Sequence, residues 1–234
     1  EIARAGINIV LVARKQEPLD AVADAIRAGC GVEVRVLSCD LAREDMLDRI
    51  REVSDDVEVG LVVYNAGAAH RTGPFLDGSL DDALRTLRVN SFGHISLAHH
   101  FGSRMAARGR GGLIISGSIA GCAGSANVVA YSAAKAFAQI LAEGLWVEWK
   151  AHGIDVLEIP LGAINSPAMA RIGISYGPER NPSDPDELAR HILDNIANGP
   201  VLVPAHLAES FRNYAELPRG EAAMAISGYV GAVT

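Results

Sequence analysis

Two residues suited to proton transfer lie four positions apart in this 234-residue chain. Tyr131 and Lys135 are separated by about one helical turn, so their side chains project from the same helical face. Ser118 lies thirteen positions before Tyr131 and follows the apolar run at residues 113–115. A hydroxyl can hold a carbonyl oxygen, a phenol can exchange a proton with it, and a nearby ammonium group lowers the pKa of the phenol. The three residues therefore indicate chemistry on a carbonyl/alcohol pair.

These residues belong to an alternation of apolar, strand-like runs and segments with helical periodicity. The strand-like runs cover residues 7–13, 32–37, 59–64, 113–115, 154–159 and 201–203. The predicted helices cover residues 18–29, 44–53, 80–108 and 128–152, and a last helix begins at a Ser183 cap and ends at Gly199. Continuous Val, Ile and Leu is typical of parallel strands buried on both faces. The pattern predicts one α/β domain over residues 1–234, with a doubly wound parallel sheet.

Polar or Gly-rich residues follow the first five of these runs. They are Arg14-Lys15, Asp40, Asn65-Ala66-Gly67, Ser116-Gly117-Ser118 and Pro160-Leu161-Gly162. Each one alone is also what an ordinary turn contains. In doubly wound sheets, however, ligands bind beyond the carboxyl ends of the strands. Together with Tyr131 and Lys135 they predict one ligand crevice at that edge of the sheet.

Taken together, these features resemble the short-chain dehydrogenase/reductase family. The stretch 112–135 is similar to the Ser…Tyr-x-x-x-Lys signature of the family. Asn65-Ala66-Gly67 resembles its NAG turn, and Val89-Asn90 resembles the helical Asn that completes its catalytic tetrad. Asp40-Leu41 matches the pair set against adenine, and residues 162–167 resemble the loop that contacts the nicotinamide carboxamide. The resemblance runs to about Val203 and implies a Rossmann-like fold.

The resemblance also implies a function, which is hydride transfer between a nicotinamide cofactor and a carbonyl/alcohol substrate. Tyr131 would be the general acid in reduction and the base in oxidation, and Ser118 would hydrogen-bond the substrate oxygen. Lys135 would hold the nicotinamide ribose and lower the pKa of Tyr131, while Asn90 would support a water that connects Lys135 to solvent. The implied cofactor-binding residues are Arg14, Asp40, Leu41, Asn65, Ala66, Gly67, Tyr131, Lys135, Ile164 and Ser166.

Two positions depart from the pattern of the family. Leu161 stands where the family often has the Pro of a Pro-Gly turn, and Pro160 comes one residue early. The sequence begins at Glu1 with what resembles the last turn of the helix that follows the family's first strand and Gly-rich phosphate loop. We expect that strand and loop to precede Glu1 in the native chain. The strand would be central, between the runs 7–13 and 59–64.

Composition restricts the partners and the compartment. A formal net charge of −7 argues against a nucleic-acid partner, because binding phosphates needs a basic surface. No apolar run approaches the roughly 20 residues of a membrane span, so we expect no membrane partner. The three cysteines have no metal-ligand spacing and predict reduced thiols in a cytoplasmic protein. The resemblance implies a homodimer or homotetramer built on the helices at 80–108 and 128–152.

Several alternatives stay open at this point. The chain could be a non-catalytic nucleotide-binding or scaffold member of the same fold. His94, His99 and His100 could be metal ligands, but no carboxylate supports them, so structural or interface histidines and no metal are predicted. Cys122 could be a nucleophile, but no histidine is placed to activate it, which favours packing. Trp146 and Trp149 favour a helix–helix or subunit interface.

A segment at about residues 166–182 corresponds to the region that covers the substrate in the family. Its apolar members are Met169, Ile172, Ile174 and Tyr176. They predict an apolar substrate of moderate size.

Arg14 and Lys15 after the first run predict NADP as the cofactor, with NAD as the alternative, because basic residues there accommodate a 2′-phosphate. A charge-assisted contact from Arg14 to that phosphate contributes about 1.5–3 kcal/mol. Arg14→Ala should therefore weaken NADPH binding by about ten- to a hundredfold and leave NADH binding almost unchanged. Calorimetric titration with both cofactors measures this difference. An equal loss for both would contradict the assignment.

Overall fold

The computed structural model describes residues 1–67, 69, 71–166 and 176–231. The chain divides into two compact units, Glu1–Val59 and Gly60–Thr234. Each unit contains parallel strands connected through helices.

The first unit has a two-stranded parallel sheet. Strand β1 (Ile9–Ala13) pairs with β2 (Val34–Ser38), with Leu11 beside Val36. The connection is helix α1 (Gln16–Cys30), which buries Leu19 and Ala23 and ends at Gly31 in the left-handed region. Pro18 lies in the first turn of α1, where its missing N–H has no helical partner to lose. Helix α2 (Met46–Ser54) follows β2.

The second unit has a three-stranded parallel sheet with a buried centre. Its strands are β3 (Leu61–Tyr64), β4 (Gly111–Ser116) and β5 (Ile154–Ile159), and β4 lies in the middle. Leu113 pairs with Val62 on one side and with Val156 on the other. Both faces of this sheet are covered, since successive residues of β4 and β5 are buried. These strands therefore have the continuous apolar character that the sequence showed.

The predicted helix at residues 80–108 is two helices joined by a π turn. Helix α3 (Leu80–Leu87) is capped by Ser79, the π turn covers Arg88–Phe92, and α4 (Gly93–Arg108) continues from it. The predicted helix at 128–152 is α5 (Val129–Trp149), followed by a 3₁₀ turn at Lys150–His152. Trp149 packs against Gly102 of α4, where a Cβ would lie 2.5 Å from the indole. Trp149 therefore belongs to a helix–helix contact.

The prediction was wrong in detail near the C-terminus. Helix α6 (Pro185–Asp194) is capped by Asp184 rather than Ser183, since the Asp184 carboxylate accepts from the backbone N–H groups of Asp186 and Glu187. The predicted strand at 201–203 is a single parallel bridge between Val201 and Glu158. The helix at Ser183 was also not the last one, because α7 (Ala208–Glu216) and α8 (Arg219–Gly231) follow.

Helix α8 has a structural role that its composition of small residues did not reveal. Ala222 and Ile226 are fully buried against Ile119 and Ala123, which follow Ser118 in the chain. In the part of the chain that the structure describes, no helix combines the length and the apolar character that spanning a membrane requires. The parallel strands with intervening helices confirm the predicted α/β fold class.

Gly93 offers a test of this packing because its helical backbone would suit alanine. A Cβ at Gly93 would overlap the hydroxyl of Tyr64, whose side chain is buried and donates a hydrogen bond of 2.6 Å to the Val89 carbonyl. We expect Gly93→Ala to lower the free energy of unfolding by about 1–3 kcal/mol through overpacking. Chemical denaturation measures the change.

Gly144 on α5 is the matched control, because a Cβ there meets nothing within 4 Å. Gly144→Ala should raise the free energy of unfolding by about 0.5–1 kcal/mol, as in an ordinary exposed helix. Equal stabilisation by both substitutions would contradict the close contact at Tyr64.

Candidate active site

The side chain of Lys135 is buried inside the second unit. It lies on α5, is only 4% exposed, and donates a hydrogen bond of 2.6 Å from Nζ to the carbonyl of Ser116 at the end of β4. Helix α5 comes this close because Gly121 has no side chain: a Cβ there would lie 2.8 Å from the backbone of Lys135. The carboxyl end of β4 and the first turns of α5 therefore position the ammonium group together.

Tyr131 and Ser118 lie against this group. The Lys135 Nζ is 5.6 Å from the centroid of the Tyr131 ring, and the Ser118 hydroxyl forms a hydrogen bond with the Tyr131 phenol. Ser118 is held where β4 ends, because its hydroxyl also accepts from the Ala120 N–H at 3.2 Å and caps the turn that follows. The structure thus brings the hydroxyl, the phenol and the ammonium group to one place.

Asn90 joins them from the π turn. Its side chain is fully buried and donates from Nδ2 to the Thr86 carbonyl at 2.8 Å. A Cβ on Gly67 would lie 2.5 Å from Asn90 Oδ1 and 3.0 Å from Lys135 Nζ, so the turn after β3 lies directly against both groups. A larger residue than glycine would not fit at this position. π turns often occur at functional sites, which agrees with this placement.

The other predicted cofactor residues of the second unit follow β3 and β5 in the chain. Asn65 Oδ1 accepts from the Ser116 hydroxyl at 2.7 Å, which links the ends of β3 and β4, and Ala66 follows it on the surface. Ile164 forms a parallel bridge with Ser183, and Ser166 is partly buried.

In the first unit, Arg14 directly follows β1, and Asp40 and Leu41 follow β2. The Arg14 carbonyl accepts from the Ser38 hydroxyl at 3.1 Å, and Asp40 Oδ1 accepts from the Ala42 N–H at 3.0 Å. These residues therefore lie at one edge of the β1–β2 sheet.

Burial moves the pKa values of the two reactive groups toward their neutral forms. It lowers the pKa of Lys135 to about 8, although the nearby Glu158 carboxylate acts in the opposite direction. It raises the pKa of Tyr131, and the hydrogen bond from Ser118 opposes that rise. The net result is a pKa of Tyr131 above its ordinary value, because the loss of hydration of the phenolate is the largest cause. The lowering of this pKa by Lys135 stays a prediction.

His94 is a packed core residue. It is 1% exposed and meets Tyr64 edge-on, with ring centroids 4.2 Å apart. Burial, with a smaller effect of Lys135, lowers the pKa of His94 to about 3, so the ring is neutral. Burial likewise raises the pKa of the Cys122 thiol to about 11, which does not favour a thiolate nucleophile. Within the described residues, no cluster of three or more His, Cys, Asp or Glu could hold a metal ion.

A pocket opens beside Tyr131 on the side of α3. Its lining includes Arg71, Phe75, Ser79, Thr86 and Asn127. Of the segment predicted to cover the substrate, Met169, Ile172 and Ile174 lie outside the described residues. Tyr176 is described: it interacts electrostatically with Tyr131, and its backbone N–H and carbonyl both pair with the Asn165 side chain.

Arg180 connects this region to the C-terminal helix. Its guanidinium donates to the carbonyl of Tyr229 at 3.0 Å and lies 4.8 Å from the centroid of the same ring. Phe211, Tyr214 and Tyr229 are partly buried against the cluster that follows Ser118. The turn that follows Ser118 is thus bordered by aromatic side chains, whereas the pocket beside Tyr131 also has polar lining residues.

The donors present fit the ribose of a nicotinamide cofactor. An ammonium group has three protons, and the Ser116 carbonyl accepts one from Lys135. The other two protons can be donated to the vicinal hydroxyls of the ribose. Because Gly67 has no side chain, the backbone of the turn after β3 lies beside the ammonium group.

Sequence reasoning predicted Gly67 as a site residue but missed Glu158 and the close approach of Gly121 to Lys135. Glu158 is a fully buried acid in β5, and its only signal in the sequence is a charge within the apolar run at 154–159. Gly67 and Gly121 are typical turn residues in sequence, and only the structure reveals their close approaches.

Comparison with known proteins gives consistent results. The family model described as short chain dehydrogenase matches residues 1–175, which includes both units up to the end of the candidate site. The 7beta-hydroxysteroid dehydrogenase of Clostridium sardiniense is 30% identical over 81% of this chain and 69% of its own length. The very-long-chain 3-oxoacyl-CoA reductase of Anas platyrhynchos is 31% identical over 68% of this chain, which spans about half (52%) of that enzyme.

A solved structure agrees with these relatives. The short-chain dehydrogenase from Sphingobium yanoikuyae in complex with NADPH has a TM-score of 0.79 and 31% identity, over 91% of this chain and 84% of that one. The match of the family model alone covers well over half of the chain. The protein therefore belongs to the short-chain dehydrogenase/reductase family, the NAD(P)-dependent oxidoreductases that act on CH–OH and C=O groups.

Proposed function

We propose that Tyr131 is the acid–base group of this oxidoreductase, with Ser118, Lys135 and Asn90 as its catalytic partners. The main support is one arrangement: the Ser118 hydroxyl and the Lys135 ammonium group both lie against the Tyr131 phenol. The nicotinamide cofactor supplies or accepts the hydride when it is bound. The residues of the chain then have to bind the substrate oxygen and move one proton.

In reduction, the Tyr131 phenol donates its proton to the carbonyl oxygen as that oxygen gains negative charge. Ser118 donates a hydrogen bond to the same oxygen and holds it in reach of the phenol. Lys135 places a positive charge beside the phenolate that remains, and Asn90 supports a water through which Lys135 exchanges protons with solvent. In oxidation each step runs backwards, with the phenolate as the base.

We further propose NADP as the preferred cofactor and a moderately large apolar ketone or alcohol as the substrate. Arg14 supports the first choice, since it is exposed at the end of β1, beside the end of β2. The aromatic side chains near Ser118 support the second, together with the relative that is named as a hydroxysteroid dehydrogenase.

A substrate panel tests this choice. With NADPH, a 7-oxosteroid, a 3-oxoacyl thioester and acetone should differ in kcat/KM, and the steroid should be the best of the three. Cofactor binding without turnover of any of them, or of their alcohols, would instead favour a non-catalytic nucleotide-binding protein.

We propose a cytoplasmic homodimer or homotetramer that forms through α4 and α5. Both helices expose large apolar side chains that a subunit contact would cover, among them Ile95, Ile140 and Val147. Light scattering should give two or four times the mass of the chain, and Ile140→Glu together with Val147→Glu should shift that mass to one chain. A monomeric wild type would contradict this proposal.

Tyr131→Phe is the decisive substitution for the mechanism. It removes the transferable proton and keeps the ring, so turnover should collapse while the free energy of unfolding changes little.

In the wild type, alcohol oxidation should become faster as pH rises through the pKa of Tyr131, because the phenolate is the base. Carbonyl reduction should become slower over the same range, because the protonated phenol is the acid. A pH–rate profile of both directions measures this.

Tyr64→Phe is the control, since it makes the same change at a buried tyrosine whose hydroxyl donates to the Val89 carbonyl. It should cost about 1 kcal/mol of stability and little turnover. If Tyr131→Phe kept more than about a tenth of wild-type turnover, a loss below about 1.4 kcal/mol, Tyr131 would not be the acid–base group.

A further inference from the structure

Glu158 is a buried acid for which the mechanism above has no use. It is 1% exposed in β5, whose neighbouring residues Leu157 and Ile159 belong to an apolar cluster on one face of the sheet. Because side chains alternate along a strand, Glu158 lies on the other face, toward α5. Its electrostatic interactions with Lys135 and Glu143, both on α5, agree with that placement.

The chain is shaped to hold this carboxylate in one place. A Cβ on Gly117 would overlap Glu158 Oε1, so the carboxylate lies against the backbone of the residue that follows Ser116. The backbone of Glu158 is fixed by the segment 200–202, because its N–H donates to the Pro200 carbonyl at 2.8 Å and its carbonyl accepts from the Leu202 N–H at 2.9 Å.

Glu158 and Lys135 therefore approach the same strand end, each at one of two adjacent residues. Lys135 donates to the carbonyl of Ser116, and the carboxylate of Glu158 contacts Gly117, the next residue. Glu158 Oε2 has no hydrogen-bond partner among the described residues. Burial raises the pKa of Glu158 to about 8, and the charge of Lys135 opposes that rise. The carboxylate therefore ionises against its burial, and its charge depends on a neighbouring charge rather than on hydrogen bonds.

Of the titratable groups near Glu158, Lys135 is the one whose charge can compensate the carboxylate. Glu143 on α5 is a like charge for Glu158, and Cys122, on the far side of the Ser118 turn, is a neutral thiol because burial raises its pKa to about 11. On the side of α4, His94 faces Lys135, and burial lowers its pKa to about 3, so it is neutral as well. Within the part of the chain described, Lys135 is the cation that interacts with Glu158.

We propose that Glu158 is a positioning residue for Lys135. The buried carboxylate of Glu158 keeps the ammonium group of Lys135 charged and in place beside Tyr131. This inference rests on the function proposed above for Lys135 and Tyr131. Its consequence concerns pH. Burial lowers the pKa of Lys135 to about 8 although Glu158 opposes that shift, so without the carboxylate the amine would lose its proton at a still lower pH.

Lysine NMR tests the pair without reference to turnover. The sequence contains only three lysines, Lys15, Lys135 and Lys150, so ¹³Cε-labelled lysine gives few signals, and Lys135→Met assigns the relevant one. In the wild type, Lys135 should titrate well below the ordinary lysine value of about 10.4. In Glu158→Gln its midpoint should fall by a further one to three units or so, because a neighbouring opposite charge is lost.

Asp155→Asn is the matched control, since it removes an exposed carboxylate from the same strand. It should leave the Lys135 titration unchanged. An unchanged Lys135 titration in folded Glu158→Gln would overturn the proposal.

Kinetics separate a positioning role from a purely structural one. In Glu158→Gln, less ammonium is present to stabilise the Tyr131 phenolate, so the rising limb of kcat for oxidation should move to higher pH. At a fixed pH below that limb kcat should fall about tenfold, which corresponds to one pH unit, with little change in substrate KM. A pH profile that matches the wild type would overturn the proposal.

Tyr131→Phe is measured alongside the Glu158 variants. If it retained turnover, the proposed function would fail, whereas the lysine titration would still decide whether Glu158 controls Lys135.

If Glu158→Gln does not fold well, the double variant that combines Glu158→Gln with Lys135→Met tests the proposal. Removing one partner leaves a buried charge alone, while removing both leaves none. The double variant should therefore be more stable than the two single losses predict, and it should fold even where Glu158→Gln does not. Additive losses, or a double variant that also fails to fold, would overturn the proposal.

Discussion

A buried ammonium group has to be compensated within the protein, and Lys135 imposes this requirement on the second unit. Lys135 donates a hydrogen bond to the Ser116 carbonyl, so the end of β4 and the first turns of α5 must stay in contact. The same requirement explains why glycine stands at three positions. Gly121 admits the helix, Gly67 admits the turn after β3, and Gly117 leaves room for the opposing carboxylate. Each close approach would be blocked by one methyl group.

The π turn has a comparable physical role in bringing Asn90 to this group. Where a helix continues regularly, a residue keeps the face that its period gives it. The wider turn at Arg88–Phe92 changes the face between α3 and α4, so that Asn90 and Ser91 are both buried. Asn90 donates a hydrogen bond from its amide nitrogen to the Thr86 carbonyl, and its side chain faces the turn at Gly67. The irregularity therefore serves to place a polar group inside.

The sequence predicted the strands well because continuous Val, Ile and Leu leaves few other structures open. It also predicted that Ser118, Tyr131 and Lys135 would meet, since a strand end and one helical face define where they lie. It did not reveal the π turn, because α3, the turn and α4 together keep an unbroken helical pattern in residues 80–108. Helix α8 was missed because its short apolar side chains have no clear period, although Ala222 and Ile226 are fully buried. Contacts between distant segments, such as Gly117 with Glu158, leave no local pattern at all.

The direction in which the pKa of Tyr131 shifts was the hardest property to predict from the sequence, because it depends on the balance between burial and polar neighbours. Burial favours the neutral phenol of Tyr131 and the neutral amine of Lys135, so the dry interior alone would remove the charges that proton transfer needs. A polar neighbour opposes burial in each case. The hydrogen bond from Ser118 lowers the pKa of Tyr131, and the carboxylate of Glu158 raises that of Lys135. In both groups the polar neighbour therefore favours the ionised form that burial disfavours.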